Sequence, residues 1–361
     1  MVIYIIIFLL ILCSSIFELL KGRKLFGLFI VNVVVLVFFV GFRQCGADFS
    51  AYTEYFPIMH NSQISEIFTP KISMEPLFII LNIFSPSFEF LIFIVSVLSI
   101  ILLAVVLYKY SPYPLFSLLL LFSGIFLLTY MGQIRQGLAL SFVMGAFFIS
   151  QKNIVVSCIF ILFAILFHYS ALIAFLFFIV PSKIYTYKKY ILSFVCIVVL
   201  APMSKYLLAQ VIDFLPSFAG NKLYLYIKVE KGSSAISLPL SLYRLCVFSI
   251  LYFLLLKKQS FFYRRNGTKI RKKMDYKLLN LYFIGICIPF FFYFLPQISG
   301  RGFMYFSCLD VFLIPMCIYN LRIKINKILI ISVFSIIGLL LMVKFLNNFS
   351  SVYIPYTNVL F

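Results

Sequence analysis

The chain has 361 residues, of which 64% are hydrophobic and 11% charged, with a mean hydropathy of +1.13. Soluble domains carry about a quarter charged residues, so this composition excludes a cytosolic enzyme, a disordered chain and a secreted globular domain. The net charge of +20 comes from 30 Lys and Arg against 10 Asp and Glu. Because no nucleic-acid-binding motif accompanies it, we attribute this charge to basic cytoplasmic loops rather than to a nucleic-acid partner.

Apolar runs recur along the whole chain, and a bilayer-spanning helix needs about 20 apolar residues. The runs cover 2–20, 25–42, 88–107, 115–131, 133–150, 154–167, 169–181, 190–209, 238–256, 278–296, 303–320 and 328–346. They predict an all-α polytopic integral membrane protein with about 12 transmembrane helices, forming one domain over residues 1–361. A shorter run, 76–84, opens with Pro76, a favoured first helical residue, and we interpret it as a re-entrant or interfacial helix.

The distribution of basic residues predicts the orientation. With the N-terminus outside, most basic residues fall in cytoplasmic loops, above all in the loop 257–277. The large loops 43–75 and 210–237 then lie outside. A single helix over 154–180 would reverse every later loop, so we predict that this run breaks at the polar triplet that begins with His168.

Under this topology a small set of polar residues lies near the outer ends of the spans. The set is Arg43, Asp48, Glu75, Arg135, His168 and Arg301. A guanidinium group can bind phosphate bidentately, which makes the three arginines candidate phosphate ligands. The structural alternatives are snorkelling to the lipid headgroups for Arg135, and a tight turn with a water-facing arginine for Arg43 and Arg301.

Three of these residues are candidate general bases. An imidazole titrates near neutral pH, so His168 is the first choice, and Asp48 and Glu75 compete with it. The alternatives are a hydrogen-bonded packing histidine, and carboxylates that pair with Arg43 or Arg301.

Two further charged residues, Arg244 and Asp310, lie inside apolar runs. Charges at membrane depth are costly unless they are paired. We therefore predict that they form a buried polar pair and take no direct part in chemistry. Because the sequence carries no Walker A, DxD, HExxH or Ser-His-Asp pattern, a nucleotide-driven cytoplasmic enzyme is not expected.

Several segments resemble, in order, the motifs of the EpsG-like, Wzy-type polysaccharide polymerases. They are Arg43-Gln-Cys-Gly-Ala-Asp48-Phe-Ser-Ala-Tyr52, Glu75-Pro-Leu-Phe78, Ile134-Arg-Gln-Gly-Leu-Ala139, Leu166-Phe-His-Tyr-Ser-Ala-Leu172, Gly300-Arg301 and Tyr353-Ile-Pro-Tyr356. Phe49 stands where the family usually has Tyr. The resemblance spans most of the chain.

The resemblance implies a GT-C-like helical architecture with large outer loops. It implies an O-antigen or exopolysaccharide polymerase of the bacterial inner membrane, with undecaprenyl-pyrophosphate-linked oligosaccharides as donor and acceptor and with no cofactor or metal. Membrane lipid and a chain-length regulator are the other expected partners. Pyrophosphate binding would fall to Arg43, Arg135 and Arg301, and catalysis to His168, Asp48 and Glu75. The alternatives are a lipid-linked oligosaccharide flippase and an O-antigen ligase.

Overall fold

The computed structural model of the chain describes residues 1–67, 74–150, 152–212, 238–257, 269–319, 321 and 324–359. Within these ranges the secondary structure is helical, and the one bridge between extended residues joins Arg43 and Asn358. The all-α prediction is therefore confirmed for the described part of the chain.

Most of the helices coincide with predicted apolar runs. The exceptions include Phe49–His60, which lies outside every run, Lys269–Phe291, which begins inside the predicted cytoplasmic loop 257–277, and the run 303–320, which is divided between two helices. The helices are α1 Val2–Lys21, α2 Phe26–Gly41, α3 Phe49–His60, α4 Pro76–Phe84, α5 Phe88–Tyr110, α6 Pro114–Leu121, α7 Ile134–Ile149, α8 Ile154–Phe167, α9 Leu176–Ile179, α10 Tyr187–Ile212, α11 Leu238–Lys257, α12 Lys269–Phe291, α13 Pro296–Ser307, α14 Asp310–Tyr319, α15 Lys324–Asn348 and α16 Ser350–Tyr353. The π-helix Phe122–Gly132 continues α6, and Ile64–Glu66 and Tyr169–Phe175 are 3-10 helices.

Seven helical segments in the described residues are long and apolar enough to cross a membrane, and further apolar helices are shorter. The chain is therefore polytopic by length and composition, whereas the figure of about 12 crossings stays a prediction. The predicted outer loop 43–75 contains α3, so it is more ordered than a simple loop. Residues 213–237 and 258–268, which hold most of the other two predicted loops, lie outside the described residues.

The predicted break at His168 is confirmed. Helix α8 ends at Phe167, and His168 adopts an extended conformation with φ −159° and ψ 115°. A 3-10 helix over Tyr169–Phe175 follows. The run 154–180 is thus two helical segments, and its second half departs from regular α-helix.

The contacts divide the chain into two compact units. The first unit contains Met1–Ala174 and Ile314–Phe361, and the second contains Phe175–Leu313. In the first unit α7 packs on α5 and α8, and in the second α12 packs on α10, α11 and α13. The single domain over 1–361 stays a prediction, because compact contact clusters are not by themselves independently folding domains.

The second unit contains the predicted buried pair. Arg244 and Asp310 form an ion pair in which 8% and 13% of the side chains are exposed, and Arg244 Nη1 also donates to the Ser307 carbonyl at 3.0 Å. Arg301 lies within α13, not in a tight turn. The tight-turn interpretation of Arg301 is therefore wrong, because Pro296 begins the helix ahead of the glycines that flank the arginine.

In the first unit the loop between α2 and α3 is hydrogen-bonded to a C-terminal tail (350–359). The Gly46 N–H of this loop donates to the Val352 carbonyl at 2.8 Å. The Tyr353 hydroxyl donates to the Leu127 carbonyl at 3.0 Å, in the π-helix. The tail therefore ties the α2–α3 loop to the π-helix.

Gly46 has the backbone conformation that this contact requires. Its φ is 136°, a region that side-chain-bearing residues rarely adopt, and a Cβ there would overlap the Met131 carbonyl. Only glycine lets the α2–α3 loop approach the π-helix this closely.

We predict that Gly46→Ala lowers the free energy of unfolding by about 1–3 kcal/mol, the usual range for such backbone strain. Gly27→Ala is the control, because Gly27 is exposed in α2 with nothing near its missing Cβ. The measurement is the thermal unfolding of both variants in detergent. Equal melting temperatures for the two variants would contradict the structural role of Gly46.

Candidate functional site

The centre of the candidate site is Glu75, the residue that precedes α4. Its side chain is 2% exposed and forms an ion pair with Arg135 through Oε2. Its other oxygen, Oε1, accepts a hydrogen bond from the Tyr169 backbone N–H at 3.3 Å. That N–H follows the break at His168, so Glu75 joins the start of α7 to the broken end of α8. The sequence suggested Arg43 or Arg301 as partners of Glu75, whereas the structure shows Arg135.

Arg135 lies in the first turn of α7, after the turn at Gln133. Its Nε donates to the Tyr52 hydroxyl at 3.3 Å, and its guanidinium carbon lies 5.7 Å and 5.6 Å from the ring centroids of Tyr52 and Phe78. The side chain is 17% exposed, and its Nη2 has no hydrogen-bond partner within the described ranges. Arg135 is thus held along one edge and accessible along the other, unlike a lone arginine that snorkels to lipid headgroups.

Tyr52 and Phe78 are site residues that sequence reasoning left without a role. Tyr52 is 3% exposed, and burial is the main cause that raises the pKa of its hydroxyl. The hydroxyl therefore stays protonated and can accept the hydrogen bond from Arg135. The signal in the sequence was the spacing of Asp48 and Tyr52, four residues apart at the start of a helix.

Asp48 precedes α3 and is partly exposed. Its carbonyl accepts the Tyr52 N–H at 3.0 Å. The charge of Asp48 acts on the Tyr52 hydroxyl, whose pKa it raises further. Asp48 therefore belongs to the same cluster as Tyr52 and Arg135.

His168 lies at the break after α8, and 7% of it is exposed. Its Nδ1 accepts the Ser170 backbone N–H at 3.2 Å and lies 2.8 Å from the Ser170 hydroxyl. A neutral imidazole that accepts through Nδ1 carries its proton on Nε2. In this arrangement His168 presents an N–H donor.

Arg43 is fully enclosed, with 2% of it exposed. Its Nε and Nη2 donate to the Met131 carbonyl at 3.0 Å and 2.7 Å, and Nη1 donates to the Val40 carbonyl at 2.6 Å. The alternative of a water-facing Arg43 is therefore wrong. The guanidinium thus satisfies the Met131 carbonyl just before α7 and the Val40 carbonyl in the last turn of α2, where carbonyls lack helical partners.

The structure thus brings four of the predicted site residues, Asp48, Glu75, Arg135 and His168, into one part of the first unit. Arg301 belongs to the second unit, in α13, where it is partly exposed. Among the described residues no group of three or more His, Cys, Asp or Glu side chains could hold a metal ion.

The arrangement can bind an anion beside a proton acceptor. The free edge of Arg135 offers charged donors, and it lies in the first turn of a 16-residue helix, where the backbone dipole also favours negative charge. Asp48 supplies a carboxylate in the same cluster, and His168 supplies an N–H.

The comparisons with known proteins place the chain in a family. The EpsG family matches residues 26–358, which includes every residue of the candidate site. Neither the curated proteins nor the solved structures gave a match. Because the match covers most of the sequence, the chain belongs to the EpsG family.

Proposed function

We propose that the protein is a polysaccharide polymerase, a glycosyltransferase that joins oligosaccharide repeat units carried on undecaprenyl pyrophosphate. The reaction would take place at the periplasmic face of the bacterial inner membrane. Membership of the EpsG family supports a polymerase role. The observation that carries the proposal is Arg135, a partly exposed arginine that Glu75 and Tyr52 fix on one edge and that is accessible on the other.

The reaction needs charge stabilisation at the leaving group. A hydroxyl of the acceptor sugar attacks the anomeric carbon of the donor, and the bond from that carbon to pyrophosphate breaks. Negative charge then develops on the departing undecaprenyl pyrophosphate, where fixed donors lower the barrier most. We assign Arg135 the role of stabilising the negative charge on the oxygen atoms of this pyrophosphate. Glu75 holds the guanidinium in place before the substrate arrives.

The attacking hydroxyl must also lose its proton. His168 was the first choice from the sequence, but its Nδ1 already accepts from Ser170, which leaves an N–H at Nε2. We therefore assign the role of general base, which accepts this proton, to Asp48, which is partly exposed. His168 would donate a hydrogen bond to a substrate oxygen.

The other two arginines, Arg43 and Arg301, have different roles in this proposal. Arg43 positions the turn before α7 through the Met131 carbonyl, so it acts through Arg135 rather than on the substrate. For Arg301 in the second unit, the pyrophosphate contact stays a prediction.

Gene deletion separates the polymerase from the other two functions that use the same lipid-linked substrate. We expect the surface polysaccharide of a deletion strain to show single repeat units on its core when run on a gel. Bare core would contradict the proposal, because loss of a flippase or a ligase prevents any repeat unit from reaching the core.

In the same strain, Arg135→Ala should abolish long chains, because loss of one such donor typically costs about 10²–10³-fold in rate. Arg135→Lys should rescue little, because an ammonium group cannot contact Glu75, Tyr52 and a phosphate in the geometry of a guanidinium. Arg23→Ala, at an exposed position after α1, is the matched control and should give normal chains. Normal chain length with Arg135→Ala, at equal protein level, would remove Arg135 from the mechanism.

Asp48→Asn and His168→Gln test which of the two residues is the general base. Asp48→Asn should lower the elongation rate by about 10²–10⁴-fold, the usual contribution of a general base. His168→Gln should keep a substantial part of the rate, because the amide of glutamine can still donate a hydrogen bond. The opposite order of the two rates would return the base role to His168.

A further inference from the structure

The second unit contains a pocket between α11, α12 and α13 that none of the proposed chemistry uses. Its volume is about 150 Å³. Arg244 and Ser241 of α11 and Ser299 of α13 contribute its polar groups, and apolar side chains such as Ile286 and Phe303 form most of its wall. An apolar cavity with a few converging polar groups is the usual form of a small-ligand site.

Two of the lining residues carry polar atoms that lack partners among the described residues. They are Arg244 Nε and Ser299 Oγ. Arg244 is 6% exposed and Ser299 is 1% exposed, so bulk water reaches neither side chain freely. A buried donor without a partner is costly, and oxygen atoms of a ligand bound against this wall of the pocket would supply partners for these atoms.

The charge of the pocket indicates an uncharged ligand. The positive charge of Arg244 is balanced by the ion pair with Asp310, whose carboxylate would repel a phosphate. The Arg244 guanidinium also lies over the rings of Tyr243 and Phe303, with its carbon 5.8 Å and 5.5 Å from their centroids. The pocket therefore offers hydrogen-bond donors and aromatic surface, without net charge.

The size of the pocket indicates a single ring. An apolar protein cavity of about 150 Å³ takes up one benzene molecule. A hydrocarbon tail would leave Arg244 Nε and Ser299 Oγ without partners. A six-membered ring with hydroxyl groups satisfies both the polar atoms and the aromatic wall.

We propose that this pocket binds one uncharged sugar ring of the oligosaccharide substrate. That the sugar belongs to the oligosaccharide substrate rests on the proposed function, whereas the argument that the pocket binds a sugar ring does not. The pocket would then hold a sugar residue of the repeat unit while other residues carry out the transfer.

The absence of tryptophan from the chain allows a direct binding test. Phe303→Trp places the only tryptophan in the pocket wall, where it can be excited selectively over the tyrosines, and Phe253→Trp places it on the exposed face of the same α11 that carries Arg244. Both purified proteins are titrated with glucose, galactose and N-acetylglucosamine, and separately with inorganic pyrophosphate. We expect a saturable fluorescence change with at least one sugar, at position 303 only, and none with pyrophosphate.

Two additional changes in the Phe303→Trp protein locate the binding. A Cβ on Gly300 would meet open space, so Gly300→Leu should fill the pocket and abolish the response without a clash. Gly124→Leu, at another open glycine in the first unit, is its matched control and should keep the response. Ser299→Ala should weaken the affinity about two- to tenfold, the effect of one lost hydrogen bond. It also serves as the second variant should Gly300→Leu fail to fold.

Several results would overturn the inference: no response to any of the sugars, a response to pyrophosphate instead, or sugar binding that both Gly300→Leu and Ser299→Ala leave unchanged. These outcomes are independent of the gene-deletion test. A deletion strain with bare core would refute the polymerase and leave the pocket's sugar binding intact. A wild-type protein that makes long chains but shows no sugar response would refute the pocket alone.

Discussion

The candidate site depends on one ion pair, between the buried Glu75 and the partly exposed Arg135. A carboxylate that is 2% exposed is unfavourable unless its oxygens are satisfied. One oxygen pairs with Arg135 and the other accepts the Tyr169 N–H. That N–H is available only because α8 ends at His168. The pair thus links four parts of the first unit, namely α3 through Tyr52, α4, α7 and the break after α8.

The surrounding structure holds the segment that leads into α7, whose first turn carries Arg135. Arg43 binds the Met131 carbonyl, Gly46 lets the α2–α3 loop approach that carbonyl, and Tyr353 of the C-terminal tail binds the Leu127 carbonyl. These contacts all reach the middle and the end of the π-helix, which leads into α7. The arginines of two different family motifs therefore have different surroundings. Arg43 binds backbone carbonyls, and Arg135 leaves one edge of its guanidinium accessible.

The sequence predicted most of the helices because the length of an apolar run is a local property. The runs 115–131 and 133–150, the break at His168 and the Arg244–Asp310 pair all appeared in the structure. The partner of Glu75 was not predicted, because 60 residues separate it from Arg135 and several arginines were available. The burial of Arg43 and the role of Tyr52 also depend on long-range packing. The glycines around Arg301 suggested a turn, whereas Pro296 starts a helix that continues through them.

The central claim is that the chain forms glycosidic bonds and releases a lipid pyrophosphate. The most direct test uses the purified protein in lipid vesicles, with a repeat unit on undecaprenyl pyrophosphate and no nucleotide sugar. The measurement is the amount of free undecaprenyl pyrophosphate released for each new linkage in the lengthened chain. The account predicts one lipid pyrophosphate for each linkage. Chains that fail to lengthen, or that lengthen without releasing this product, would contradict it.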